Sequence, residues 1–338
     1  MERIIKETLL NCTSIKERKR MFNRAYNLAQ IEYGKTDEEL LRIIKLYIEG
    51  YMELEDVIQK CISYIEATYS NNNSKKTYPF NANKLGIVSQ KKLKMASCAI
   101  VTLRLMELDL IFDASNINYD KYKECHEFLY SDIYDWAGEE RSISLEKRLE
   151  YLNGRTITFL EDDINLNMQE VFKQINALTR ETSIDKTMQS IFKKLDRDDW
   201  QNMSNEQCCA ICARIIGNLW FIHPFIEGNT LLAIFTICKI AEYNEFEFSR
   251  KTIREQHDKI DIRRCILLAS LQENYDVKYL ASVLLLSREK KQNDQQMKKR
   301  KDGPRRSIED FLEEAKRERE AAESYEDEEN VNGGEEES

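Results

Sequence analysis

The run His223-Pro224-Phe225-Ile226-Glu227-Gly228-Asn229-Thr230 concentrates the chemistry of this chain. A histidine titrates near neutrality, so His223 could take a proton from a hydroxyl nucleophile. Glu227 could hold a hard divalent cation such as Mg²⁺. Gly228 permits close backbone approach and unusual dihedrals. If a helix starts just past it, the amides of Gly228, Asn229 and Thr230 point outward as a cradle for an anion, phosphate above all. Base, metal carboxylate and phosphate cradle within eight residues point to phosphoryl or nucleotidyl transfer.

The elements that must position this turn are legible in the pattern. Pro224 disfavours helix at the residue before it, so the preceding helix should stop near His223. Ser204 with Gln207 is a capping-box pair that opens that helix, and Cys208, Ile211, Ile215, Leu219 and Ile222 fall on one face. Leu231 to Ala241 is apolar on nearly all sides, as expected of a helix buried at the centre of a domain. Upstream, Thr36 with Glu39 reads as another capping box, leading into Leu40, Ile43, Ile44, Tyr47 and Ile48. Gly50 marks a break before a second helix through Ile65. Leu93 to Met106 and Ile164 to Leu178 carry further helical stripes. Ser142-Ile143-Ser144-Leu145 and Thr156-Ile157-Thr158-Phe159 flank Asn153-Gly154, which predicts a β-hairpin.

Composition sets the limits. Ten Gly and three Pro in 338 residues are too few for the turns of a sandwich or barrel, so the chain reads as mainly α-helical. The net charge is −9, and residues 288–338 hold 12 basic and 17 acidic side chains, which leaves −4 for the rest. Nucleic-acid binding is disfavoured, because phosphate affinity needs a cationic surplus on the folded part. Leu231 to Ala241 is too short to span a bilayer, and the N-terminus has no apolar stretch of signal-peptide length. With nine cysteines, an odd number, the reading is a cytoplasmic protein in a reducing compartment, or one delivered into a host without a Sec signal. Cys208, Cys209 and Cys212 lie on one amphipathic helix and read as buried core, not a metal site. His126 and His257 read as structural or surface residues.

The motif resembles the signature of the Fic (fido) family, H-P-F-x-[D/E]-G-N-G-R. Asn83-Lys84-Leu85-Gly86-Ile87, His126 and Ser131 to Glu139 look like the family's segments leading to its flap, and Arg141 and Lys147 sit where many members carry R-[TS]-x-x-x-x-K. The resemblance implies a helical bundle with a β-hairpin flap over residues 78–287, N-terminal helices over 1–72 and a charged tail over 288–338. It implies AMP transfer from ATP with Mg²⁺ to a Ser, Thr or Tyr hydroxyl of a protein. His223 would be the general base and Glu227 the metal ligand, with Gly228, Asn229 and Thr230 lining the phosphate. Ser142, Ile143, Ser144 and Lys147 on the flap would dock the protein substrate.

The sequence departs from the family where phosphate is gripped. The family's Gly-Arg is Thr230-Leu231 here, and a later arginine of many members is Ile234. An alkyl chain does not replace a bidentate guanidinium. Lys147, Arg250 and Arg254 are the candidate substitutes. The family's inhibitory pattern, [S/T]-x-x-x-E-[G/N], has no clean copy: Thr13 to Glu17 is followed by Arg18, and Ser324 to Glu328 by Glu329. No glutamate switch within the chain is expected, which leaves room for a separate antitoxin or Fic partner. The alternative function is a degenerate Fic scaffold that binds or regulates a protein.

Overall fold

Several helices begin where a side chain accepts from the first amides, as at Ser14, Asp37, Ser89, Asn118 and Ser204. The computed structural model describes residues 14–70, 82–142, 157–158, 165–166, 173, 176–177, 182–195, 200–270 and 277–288. Among these residues the fold is mainly α: α1 (Ile15–Tyr33), α2 (Glu38–Ile48), α3 (Leu54–Tyr69), α4 (Gln90–Ile111), α5 (Tyr119–Tyr130), α6 (Ile184–Leu195), α7 (Asn205–Ile222), α8 (Asn229–Tyr243), α9 (Arg250–Ile260), α10 (Ile262–Ser270) and α11 (Lys278–Leu286). A single 3₁₀ turn, Trp200–Asn202, precedes α7. No described helix is long and apolar enough to cross a membrane.

The expected capping box on α7 is present. Ser204 Oγ accepts from Gln207 N at 3.2 Å, and Gln207 Oε1 accepts from Ser204 N at 2.8 Å. The one expected at Thr36 is not. Asp37 caps α2 by accepting from Leu40 N at 2.7 Å, while the Thr36 hydroxyl donates to Met95 O at 2.7 Å and so ties the α1–α2 connection to α4. A carboxylate is the better acceptor at the positive end of a helix, so the neighbouring acid takes the capping position.

The expected hairpin across Asn153-Gly154 lies largely outside the described residues, as do Ile143, Ser144 and Lys147; Ser142 is described and exposed. The strand pairing that is described runs forward along the chain. β1 (Ile157–Thr158) pairs antiparallel with β2 (Asn165–Leu166), Ile157 opposite Leu166. The stripe over 164–178 is described at residues 165–166, 173 and 176–177 only, of which 165–166 are strand, and the tail 289–338 lies outside the described residues.

One continuous core joins buried residues from Met21 in α1 to Leu284 in α11. Helix α8 sits at its centre: Leu231, Leu232, Ala233, Phe235, Ile237 and Ala241 are all buried. Helix α1 packs against α4, α8 and α9, while α7 packs against α8, α10 and α11. The α7–α10 contact depends on Gly217. A Cβ there would lie 2.6 Å from the backbone oxygen of Ala269, so neither helix could yield without a backbone shift. Overpacking of this kind costs about 1–3 kcal/mol or more. Gly217→Ala should therefore lower the free energy of unfolding by that amount, read as a lower urea midpoint at constant slope.

At the far end of α8 from Asn229, charged side chains fasten the helices together. Arg24 of α1 reaches Asp109 at 3.3 Å, Glu247 at 2.8 Å and, more closely still, Glu242. Arg250, fully buried, bonds Asp109 at 2.6 Å, and Lys239 bridges Asp109 and Glu242 at 3.4 and 3.1 Å. Burial pushes the Asp109 carboxyl upward, but Arg250, Lys239 and Arg24 outweigh it and hold it at about 2. Arg250 is thus engaged remote from the motif, and Arg254 pairs with Asp258. Arg250 therefore does not stand in for the arginine that Leu231 replaces.

Candidate active site

Helix α7 ends at Ile222, and its C-cap is His223 in the left-handed region, φ 51° and ψ 60°. Pro224 disfavours right-handed helix at this position, and a non-glycine residue in the left-handed region costs roughly 1 kcal/mol or more. Arg141 offsets that cost. Its Nε donates to His223 O at 2.8 Å, its Nη2 to Ile222 O at 3.4 Å, and its own backbone N to Pro224 O at 2.7 Å. These are acceptors that a helix C-terminus leaves open, where a cation is favoured. Burial depresses the guanidinium to about 10, which leaves it charged at neutral pH.

The His223 imidazole is half-buried. Its Nδ1 lies 3.2 Å from Trp220 O, and its ring meets the Trp220 ring edge-on. A carbonyl can only accept, so Nδ1 carries the hydrogen and the lone pair of the neutral ring lies on Nε2. That is the form a proton acceptor needs.

From Phe225 onward the turn closes on itself. Asn229, 2% exposed, accepts from Phe225 N at 3.1 Å and donates to Phe225 O at 2.9 Å. Its side chain therefore shapes the loop with one donor hydrogen and one lone pair. Phe225 is fully buried, with its ring stacked on His126 at 3.8 Å between centroids. Gly228 is the N-cap of α8 at φ 80°, and a Cβ there would lie 2.3 Å from the Tyr130 hydroxyl. Beneath it Tyr33 donates to Tyr130 at 2.9 Å. The Thr230 hydroxyl accepts from Trp220 Nε1 at 3.2 Å and so joins the end of α7 to the start of α8. Glu227 is half-buried, and its backbone oxygen accepts from His126 Nε2 at 3.1 Å.

The helix N-terminus does select an anionic oxygen, supplied by the protein itself. Leu231 N donates to Glu32 Oε2 at 3.0 Å. The partial copies of the inhibitory pattern begin at Thr13 and Ser324, and Glu32 belongs to neither. Glu32 lies in the last turn of α1, beside its own helix's negative end, where a carboxylate is disfavoured. The positive end of α8 compensates it. Ile31-Glu32-Tyr33-Gly34 lacks the residues of the inhibitory pattern, so only the misplaced charge signals it in the sequence. The side chains of Leu231 and Ile234 are 0% and 1% exposed, part of the core and with no polar atom to offer a phosphate.

The structure thus brings His223, Glu227, Gly228, Asn229 and Thr230 together on one turn, and adds Glu32, His126 and Arg141. Over 202 residues the chain is 22% identical to protein adenylyltransferase VbhT of Bartonella schoenbuchensis, a match that covers 56% of this chain and 37% of that protein. It therefore spans little more than a third of its curated relative. Among solved structures, the N-terminal Fic domain of a Bartonella effector from Bartonella sp. AR 15-3 is 18% identical at a TM-score of 0.41, covering 68% of this chain and 92% of that one. BepC of Bartonella tribocorum, solved with bound AMPPNP, is 14% identical at a TM-score of 0.41, covering 68% and 100%. Residues 116–241, which run from just before α5 to the end of α8 and hold the whole of this turn, match the Fic/DOC family, and the chain carries a Fic/DOC family domain.

Proposed function

We propose that this chain transfers AMP, or a related phosphate-containing group, from a nucleotide to a hydroxyl of a protein. One observation carries the reading: the start of α8 already takes an anionic oxygen, from Glu32, on the same turn that presents the Nε2 lone pair of His223. The fit to a magnesium nucleotide is good at the amides and poorer at the side chains. The amides of residues 228–231 would hold phosphate oxygens once Glu32 moves away, and Glu227 would hold Mg²⁺. Bound there, the nucleotide would supply the electrophilic phosphorus, and in AMP transfer from ATP the bond from the α-phosphorus to its bridging oxygen would break as pyrophosphate leaves. His223 accepts the proton of the target hydroxyl, and the positive end of α8 favours the charge that develops on phosphate. The resemblance would place the target segment against residues 142–147.

A second reading has its own support. With Leu231 and Ile234 buried and apolar, no guanidinium grips the triphosphate from those positions. A scaffold that binds a protein partner and transfers nothing would look the same. Incubation with α-labelled ATP, Mg²⁺ and cell lysate separates the two. Transfer by the wild type or by Glu32→Ala should drop at least about a hundredfold in His223→Ala. Absence of His223-dependent labelling from both proteins would sink the transferase reading and favour the scaffold.

A further inference from the structure

The turn from His223 to Asn229 is gripped at both ends by one short stretch of chain. Arg141 holds the His223 end through its contacts to the carbonyls of Ile222, His223 and Pro224. His126 holds the Glu227 end. Its Nδ1 accepts from Gly138 N at 2.9 Å, so Nε2 bears the hydrogen and donates to Glu227 O at 3.1 Å. The stretch between them is itself fixed. Trp136 stacks on Tyr134 at 4.3 Å, and Gly138, at φ 83°, sits so close to α5 that a Cβ would lie 2.8 Å from Glu127 Cβ.

We propose that Arg141 and His126 are positioning residues, a two-point brace in which Arg141 sets the ring orientation of His223 and His126 sets the backbone that presents Glu227. The proposal rests on the reading of His223 as base and Glu227 as metal ligand. Neither brace residue needs to touch substrate. Arg141 acts by making the left-handed conformation of His223 tolerable, and that conformation returns Nδ1 to Trp220 O and presents Nε2. His126 acts through the carbonyl of Glu227, one residue before the glycine that opens α8.

The chain has three histidines, so isotope-labelled imidazoles of the full-length protein can be read individually. At pH 7 the wild type should show His223 as the Nδ1–H tautomer and His126 as the Nε2–H tautomer. Arg141→Lys keeps the charge but loses the fork. The minor Nε2–H form of His223 should rise about three- to tenfold, the change expected for one lost hydrogen bond. His126→Phe keeps a ring against Phe225 but has no nitrogen. Amide hydrogen exchange at residues 227–229 should rise about tenfold while the interiors of α7 and α8 stay protected, and His126→Gln should restore the slow rate. A wild-type His223 found as Nε2–H, an unchanged tautomer in Arg141→Lys, or a uniform rise in exchange across the helices would each overturn the brace. If Arg141→Lys does not fold, the wild-type tautomers and the His126 variants decide. None of these readings needs nucleotide. A protein with the brace and no label transfer therefore refutes the transferase reading alone.

Discussion

Replacing Glu32 by alanine should tighten binding of a magnesium nucleotide by about 10- to 100-fold. The carboxylate sits on the amide of Leu231 at 3.0 Å, where a phosphate oxygen would have to sit. A hydrogen bond from an amide to a charged acceptor contributes about 1.5–3 kcal/mol, and each 1.4 kcal/mol is tenfold in affinity. Removing it also removes a negative charge from beside an incoming polyanion. The protein itself should lose little, because Glu32 opposes the dipole of its own helix. Glu32→Gln keeps a neutral acceptor and should fall between wild type and alanine. Glu17→Ala, at the exposed start of α1, should leave affinity unchanged. Titration calorimetry with MgATP reads all four proteins. Equal affinities across the set would mean that Glu32 does not compete for this corner.

The second large effect is acid sensitivity centred on His126. Burial lowers its imidazole to about 3, against a smaller opposing effect of its bond to Glu227 O, while an unfolded histidine titrates near 6.5. Between those values the unfolded chain binds a proton that the folded chain excludes. Stability therefore rises with pH across this window and falls on acidification from about 6.5 toward 3. A gap of this size corresponds to a loss on the order of 5 kcal/mol, a large share of the 5–15 kcal/mol typical of a folded domain. Asp109 works lower down. Its depressed carboxyl contributes stability above the usual carboxylate range that is lost as pH falls toward about 2. Urea midpoints measured between pH 7 and pH 4 should fall steeply for the wild type and more gently for His126→Gln. Parallel slopes would show that His126 does not exclude the proton.

The signals that proved readable were local ones. Ser204 and Gln207 announce the start of α7 because a capping box is complete within four residues, and Pro224 announces its end for the same reason. The all-round apolar run after Asn229 reads as a central helix, and α8 is one. What stayed hidden depends on distant partners. Thr36 has the pattern of a cap, but Met95, 59 residues away, takes its hydroxyl. Arg141 lies 82 residues from His223, and Glu32 lies 199 from Leu231, separations over which periodicity carries no information. Ile157 and Thr158 have the residues of a strand, yet their described partner follows them in the chain, a choice that strand propensity does not determine.

Helix α1 is held at Arg24 by three carboxylates from α4, α8 and the segment after α8, while Glu32 lies eight residues further on, about 12 Å along the helix axis. Such an anchor keeps the carboxylate tethered even when it leaves the amide of Leu231. A nucleotide then competes with a group on a short leash, whose effective concentration reaches the millimolar range and does not fall on dilution. The least costly way to vacate the corner is rotation of the Glu32 side chain, because Leu28, Ala29, Ile31 and Tyr33 bury the last two turns of α1 in the core and hold the helix in place. Apparent affinity is scaled by the fraction of molecules with Glu32 turned away at any instant. Mutations that shift this rotamer balance should therefore tune nucleotide response without a contact to nucleotide.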